Sequence, residues 1–466
     1  MNCIKKVVCL VFCCTCVGGA TGIKAEQPLS LQQLLNAMSD NYELLKREGS
    51  LVQARQAAVK ATKYDRLPQL TGMLQATINS DNNLEGSYQS YGMIPSVVSG
   101  VRAQSNLSPV AGDAAILDLN WEAVNFGAYK AREDLSKSDL QVQMNTLATT
   151  QYNLQGYASA YYLELIRQFE LQNVQQNNVV RLQQLKTTID ALVRNGVRPG
   201  VDSSVASAEL SKSIIALYQA QKNLAQTKVQ LSNLTGLAAG QLNPDTASEN
   251  KVNVDGAAFV FSITADTIHH PYINLYSSVY DQSRARLLLE KKSYYPKIFL
   301  DADAWGRGSS LSNTDQYNSE LLQGYQPSRF NYLVGLTMTY NILNIAHKKL
   351  NSNIYRFQSE AAYHQLQNEK ANLSSDVQQA LLEKDFQHNR LVETRHQLDA
   401  AASAYSQQLS LYTNGLSSII ELNTAQDYFI QAQRDYVEAK VGLMKSVINY
   451  SLVTNTFAAL LQTIKL

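Results

Sequence analysis

The sequence is constrained most by what it leaves out. No Gly or Pro occurs between Gly335 and Gly415, and beyond Gly415 there is no Pro and a single Gly, Gly442. The two residues that most disfavour a helix interior are missing, so both stretches are read as long helices. Between them stands Leu411-Tyr412-Thr413-Asn414-Gly415-Leu416-Ser417-Ser418-Ile419-Ile420-Glu421-Leu422. Asn and Gly tolerate positive φ, so Asn414-Gly415 is a tight turn that joins the two helices.

The same arrangement occurs once earlier. Asn195-Gly196-Val197 is followed by Asp202 as Asn414-Gly415-Leu416 is followed by Glu421, each acid six residues after its Gly. At one constant offset Trp121 falls on Tyr340, Asn125 on Asn344, Ala206 on Ala425 and Leu224 on Leu443. A register held that long without a gap reads as an internal tandem duplication, with a period near 220 residues, far above solenoid periods.

Each half has one pattern. Residues 29 to 63 carry apolar residues at three- and four-residue steps, a helix that ends before Pro68. From Gln69 to Asn79 the period becomes two: Leu70, Gly72, Leu74, Ala76 and Ile78 share one face, as in a strand between two environments. A Ser/Asn/Gly-rich loop from Ser80 to Pro109 follows, and alternation resumes with Ala115, Leu117, Leu119 and Trp121 against Ile116, Asp118 and Asn120. After Asn125-Phe126-Gly127 a helix is expected over 128–194, roughly 100 Å long and in need of partner helices along its length. A turn at 195–200 and a helix over 203–234 complete the half. Leu237 to Asp266 is a connector whose Phe259-Val260-Phe261 is a short strand or a packing anchor. The second half repeats the order. A helix covers 272–292, and Pro296 answers Pro68. Ile298, Leu300, Ala302 and Ala304 alternate with Phe299, Asp301 and Asp303, and Gly306 to Asn331 is a loop. A strand from Tyr332 to Tyr340 and two long helices to about 455 follow.

Strands of this length, apolar on one face, suit a tilted membrane β-barrel, with Trp121, Trp305, Tyr332 and Tyr340 placed for an aromatic belt. A soluble sheet with one buried face shows the same alternation. The barrel is favoured by the export signal and by long loops only on the side away from the helices. Four strands do not close a spanning barrel, and lipid does not tolerate an open edge, so the barrel must be shared between chains.

Lys5 and Lys6, the apolar run Val7 to Val17, and the small residues up to Ala25 read as a signal peptide over residues 1–25. All five cysteines lie in it (Cys3, Cys9, Cys13, Cys14, Cys16), so a chain cut after Ala25 has no disulfide, thiolate metal site or Cys nucleophile. Cys13-Cys14-Thr15 is a poor lipobox for lipidation of Cys16. Removal takes three lysines and no acid, so the net charge of +1 becomes −2. Neither value carries a nucleic-acid footprint. No GxGxxG, Walker, GxSxG or HExxH pattern occurs, so no catalytic, cofactor or metal site is read, and the six histidines are assigned to surface or seam.

The doubled order of helix, strand, loop, strand, long helix, turn and helix resembles the TolC-type outer-membrane efflux and secretion ducts, the outer membrane factors. The resemblance covers the mature chain. It is carried by Leu67-Pro68 and Tyr294-Tyr295-Pro296 where strands begin, Asn125-Phe126-Gly127 where one ends, and Tyr412 to Leu416 with Glu421 and Ala425 at the hairpin. It implies a mixed α and β membrane protein: a homotrimer whose four strands per chain build a 12-stranded β-barrel, continued by a long α-helical coiled-coil tunnel through the periplasm. The implied divisions are a first repeat over 26–236, a connector over 237–266 and a second repeat over 267–466. The implied partners are outer-membrane lipid, a periplasmic adaptor at the hairpin tips and an inner-membrane pump of RND or ABC type.

On the same resemblance Asp202 and Glu421 are tunnel-mouth acids, where rings of like charge favour cations. Their ordinary structural reading is an acid in a helix's first turn, with Asp202 a candidate N-cap. Thr424 and Val205 stand where the family often has a second acid. Tyr412 matches a tyrosine that helps hold the closed mouth in some members. Its counterpart Val193 cannot hydrogen-bond, so one half alone forms such a latch. Asn195, Gly196, Val197, Arg198, Pro199 and Gly200, with Asn414, Gly415, Leu416 and Ser417, are the adaptor-docking tips; turn chemistry alone also accounts for Asn-Gly and Pro-Gly. The function expected is a non-enzymatic exit duct of a tripartite pump exporting drugs or other small molecules. A duct for type I protein secretion and a periplasmic coiled-coil scaffold are the alternatives.

Overall fold

A computed structural model describes residues 29–82, 101, 103–244, 267–312 and 320–464. The signal segment with its cysteines, connector residues 245–266 with Phe259-Val260-Phe261, and parts of both Ser/Asn/Gly-rich loops lie outside the described residues.

The expected first helix is two, α1 (Leu31–Asn41) and α2 (Glu43–Tyr64). Ser30 and Gln33 form a capping box that starts α1. The break falls at Tyr42, whose backbone is extended. Its cause is Asn41, whose side-chain amide donates to the Ala37 carbonyl at 3.0 Å and to the Thr235 carbonyl at 2.6 Å. The other helices are α3 (Ala128–Arg194), α4 (Gly200–Thr235), α5 (Pro271–Ser293), α6 (Ile345–Thr413), α7 (Ile419–Val453) and α8 (Phe457–Ile464). With 67 residues in α3 and 69 in α6, each is about 100 Å long. α4 begins three residues before the expected 203, because Pro199, fixed in φ and extended in ψ, serves as its N-cap. Asp202 is thus a first-turn acid and not the N-cap.

Four strands form one antiparallel meander, β1 (Gln69–Asn79), β2 (Val110–Val124), β3 (Lys297–Ser309) and β4 (Arg329–Thr339), in the order β1-β2-β3-β4. β3 runs on through residues 306–309, which the sequence assigned to the loop. Gly306 and Gly308 hid the alternation there by offering no side chain. The Phe330 ring lies where a Gly306 Cβ would be, at 2.8 Å, so the neighbouring strand covers the gap.

The register sorts the residues. Leu70 pairs Leu119, Leu119 pairs Ala302 and Ala302 pairs Val334. Leu74, Ala115, Gly306 and Phe330 form a second row, and Gly72, Leu117, Ala304 and Tyr332 a third. One face of the sheet is therefore apolar across all four strands. The other carries Gln69, Asn120 and Asp301 in one row and Thr71, Asp118 and Asp303 in the next. Among the described residues the outer edges of β1 and β4 pair with no strand, and both strands are almost wholly exposed.

The helices pack around two main cores. The larger joins α1, α3, α4, α7 and α8 around the fully buried Tyr162, whose hydroxyl donates to the Leu29 carbonyl at 3.0 Å. The smaller lies at the far ends of α3, α4, α6 and α7 and holds Ile189, Ala206, Tyr412 and Leu422. At the strand end, Glu133 of α3 accepts from Arg66, just beyond α2, at 2.6 Å and pairs with Lys137 at 2.7 Å. Among the described residues no helix is long and apolar enough to cross a membrane.

Candidate functional site at the hairpin tips

The two turns share one geometry. Asn195 and Asn414 are C-caps, and Gly196 and Gly415 follow at φ 71° and 85°. Gly196 N–H donates to the Val193 carbonyl and Val197 N–H to the Leu192 carbonyl; Gly415 donates to Tyr412 and Leu416 to Leu411 in the same way. These are Schellman motifs, which satisfy the last carbonyls of α3 and α6. Val197 and Leu416 then stand out at the tips, 57% and 75% exposed.

The structure brings three of the sequence's candidates together. Tyr412, at the end of α6, is fully buried, and its hydroxyl donates to Asp202 Oδ2 of α4 at 2.8 Å. Asp202 is itself 5% exposed. Burial first, and then the Asp202 carboxylate, push the Tyr412 phenol above its ordinary pKa. Arg198 comes from the first turn. Its guanidinium lies 4.2 Å from the Tyr412 ring centre and its Nη2 donates to the Tyr412 and Ser417 carbonyls. Both bonds join the first hairpin to the second.

Glu421 is placed differently. It forms a capping box with Ser418 and accepts from the Ser417 hydroxyl at 2.7 Å and the Ser418 N–H at 3.0 Å. Those two donors hold its carboxyl below the usual range. Val193 packs against the small core and makes no counterpart latch. Asp190, absent from the sequence's candidates, ties α3 to α4 through Ser203 at 2.6 Å while pairing with Lys186.

A second polar feature escaped selection as a site. On the polar face of the sheet Asp118 lies directly opposite Asp303, and Asp301 accepts from Asn120 at 2.6 Å and Thr337 at 2.9 Å. The signal was present, since these acids fall on the polar phase of their strands; only the pairing of β2 with β3 shows that they adjoin. Among the described residues no cluster is arranged to hold a metal ion.

The arrangement is a sheet with an apolar face, two long helical hairpins, and tips clasped to each other. Residues 279–449 match the family model for outer membrane efflux proteins. That stretch, from within α5 to within α7, carries the outer membrane efflux protein pattern. Solved channels share its fold. The CusC channel is 15% identical with a TM-score of 0.74, over 91% of this chain and 91% of that one. The outer membrane protein VceC of Vibrio cholerae is 13% identical with a TM-score of 0.71, over 91% and 95%. The CmeC outer membrane channel of Campylobacter jejuni is 14% identical with a TM-score of 0.72, over 92% and 86%. No curated protein matches the sequence. What the chain shares with these outer-membrane proteins is the fold, a β domain continued by long helices, and over residues 279–449 the pattern of the outer membrane efflux proteins.

Proposed function

We propose that three copies of this efflux protein close a 12-stranded barrel, four strands from each, over a continuous α-helical tunnel. The assembly is the exit duct of a tripartite pump that exports drugs or other small molecules. The observation that carries this reading is the sheet: one face apolar across four strands, with both edges unpaired among the described residues. Lipid accepts the apolar face only if the edges are closed by other copies. The helices support the same reading. Leu350, Ile354 and Phe357 of α6 and Ile215 and Tyr218 of α4 form exposed apolar stripes at helical spacing, as a seam between copies requires.

In this reading the chain is two repeats, 26–236 and 267–466, from a tandem duplication, with a connector at 237–266. The aspartates of the polar face line the barrel, and the hairpin tips form the periplasmic mouth, latched by Tyr412 and Asp202. The adaptor docks on the tips, where Val197 and Leu416 are exposed. The pump behind it is of RND or ABC type.

Detergent extraction, light-scattering mass and negative-stain imaging test the assembly. A three-chain particle with a stalk on the order of 100 Å supports it. A monomer released without detergent overturns it. Photo-crosslinkers at Val197 and Leu416 then identify the adaptor, and an adaptor paired with an ABC protein exporter replaces small-molecule efflux by type I protein secretion.

A further inference from the structure

One residue at the tips does more than the family resemblance assigns to it. Arg198 was grouped with the docking tip, yet its guanidinium is turned inward. It spans the second turn, reaching the Tyr412 carbonyl at one end and the Ser417 carbonyl, at 2.9 Å, at the other. The Tyr412 carbonyl already accepts from Gly415 N–H, and its second lone pair takes Arg198. A cation at these carbonyls also meets the negative end of α6. The same guanidinium covers the Tyr412 ring at 4.2 Å, a favourable cation–π position. The residue 219 positions on is Ser417, which has no cation to return the contact.

We propose that Arg198 is the positioning residue of the mouth latch. By gripping both ends of the second turn it fixes Tyr412 so that the hydroxyl meets Asp202, and it binds the two hairpin tips of one chain into a single body. This rests on reading the tips as the mouth of a duct. Widening within a chain then requires Arg198 to let go together with Tyr412.

The test places nitroxide labels at Val197→Cys and Leu416→Cys in the assembled full-length protein, processed so that residues 1–25 and their five cysteines are gone. The tip-to-tip distance is read by pulsed spin resonance. In the Arg198 parent the distribution is narrow. Arg198→Ala broadens and lengthens it. Arg198→Lys, which keeps the charge but loses the planar guanidinium over the Tyr412 ring, falls between. Arg194→Ala, a charge control at the end of α3, leaves it unchanged.

Conductance in planar bilayers is the second readout. Arg198→Ala raises the ratio of open to closed channels roughly tenfold, the effect of losing charge-assisted hydrogen bonds. Tyr412→Phe raises it too, and the double variant gains no more than the larger single effect. An unchanged distance distribution in Arg198→Ala overturns the proposal. So do conductance effects that simply multiply, since Arg198 then acts apart from Tyr412. Broadened distances in a protein that forms no channel uphold the clasp and overturn the duct.

Discussion

Leu74 gives the sharpest test of which face of the sheet meets lipid. It stands at the centre of β1, five residues from Gln69 and five from Asn79. At about 3.3 Å per residue β1 is roughly 33 Å long. Tilted by about 40° it rises about 25 Å, the height of an outer-membrane apolar band. In the proposed barrel Leu74 therefore falls at the midplane. It is 86% exposed in a single chain, and its row runs on through Ala115, Gly306 and Phe330, none of which carries a charge. Leu74→Arg is expected to cost about 2–4 kcal/mol per chain, and about three times that in a closed barrel of three. Met73 is one residue away on the other face, beside Ile116. In the proposed barrel Met73→Arg faces the water of the lumen and is expected to stay within about 0.5 kcal/mol of the parent. Urea unfolding in lipid vesicles, followed by fluorescence, reads the difference, because both tryptophans, Trp121 and Trp305, lie in the sheet. A Leu74→Arg effect as small as that of Met73→Arg would refute the membrane face, and equal large costs for both would refute a wet lumen.

Three further outcomes follow from single residues. Gly415→Ala places a Cβ at φ 85° in open space, so the cost is backbone strain alone, about 1–2 kcal/mol, read as a lower unfolding midpoint for the helical signal in circular dichroism. Gly308→Ala drives a Cβ to within 2.3 Å of the Gln326 carbonyl oxygen, while at Gly72 the nearest atom is at 3.8 Å; the first is expected to lose about 1–3 kcal/mol of stability by urea titration, the second close to none. His270 caps α5 by accepting the Tyr272 N–H at its Nδ1, and burial lowers its pKa against the weaker pull of Asp376 and the Leu452 backbone. The unfolded chain therefore takes up this proton first. Stability present above about pH 6.5 declines as pH falls toward the folded pKa, and His270→Gln flattens that part of a melting-temperature profile.

Much of the fold was legible because two periods carry it. Strict alternation in β1 and β4 marked their faces, and the absence of Gly and Pro marked α3 and α6. What escaped depends on partners distant in sequence. Tyr42 breaks a continuous apolar pattern because Asn41 reaches Thr235, nearly two hundred residues on. The end of β3 was lost because glycines carry no phase, and its continuation is set by Phe330 and Pro327 across the turn. At the tips the sequence showed Tyr412, Asp202 and Arg198 as separate candidates. Only the packing of α3, α4, α6 and α7 into one small core shows that they touch.

The clasp also explains why equivalent positions in the two halves differ where they do. The turns themselves are alike to the hydrogen bond, because chain reversal makes the same demand twice. The side chains that cross between hairpins are not alike. Tyr412 meets Asp202, but its counterpart Val193 has no donor to offer Glu421. Glu421 therefore folds back on its own helix, where Ser418 and the helix N-terminus stabilise it. Arg198 meets the Tyr412 carbonyl at the end of α6, while its counterpart Ser417 turns its hydroxyl to Glu421. Each crossing contact thus takes one residue from each half, and its mirror position is released for local capping. A second, reversed set would need another tyrosine and arginine in the same small core, where Val193, Val205 and Ile419 already pack. One directed clasp is what that space holds, and it makes the two hairpins of a chain unequal at the point where they meet.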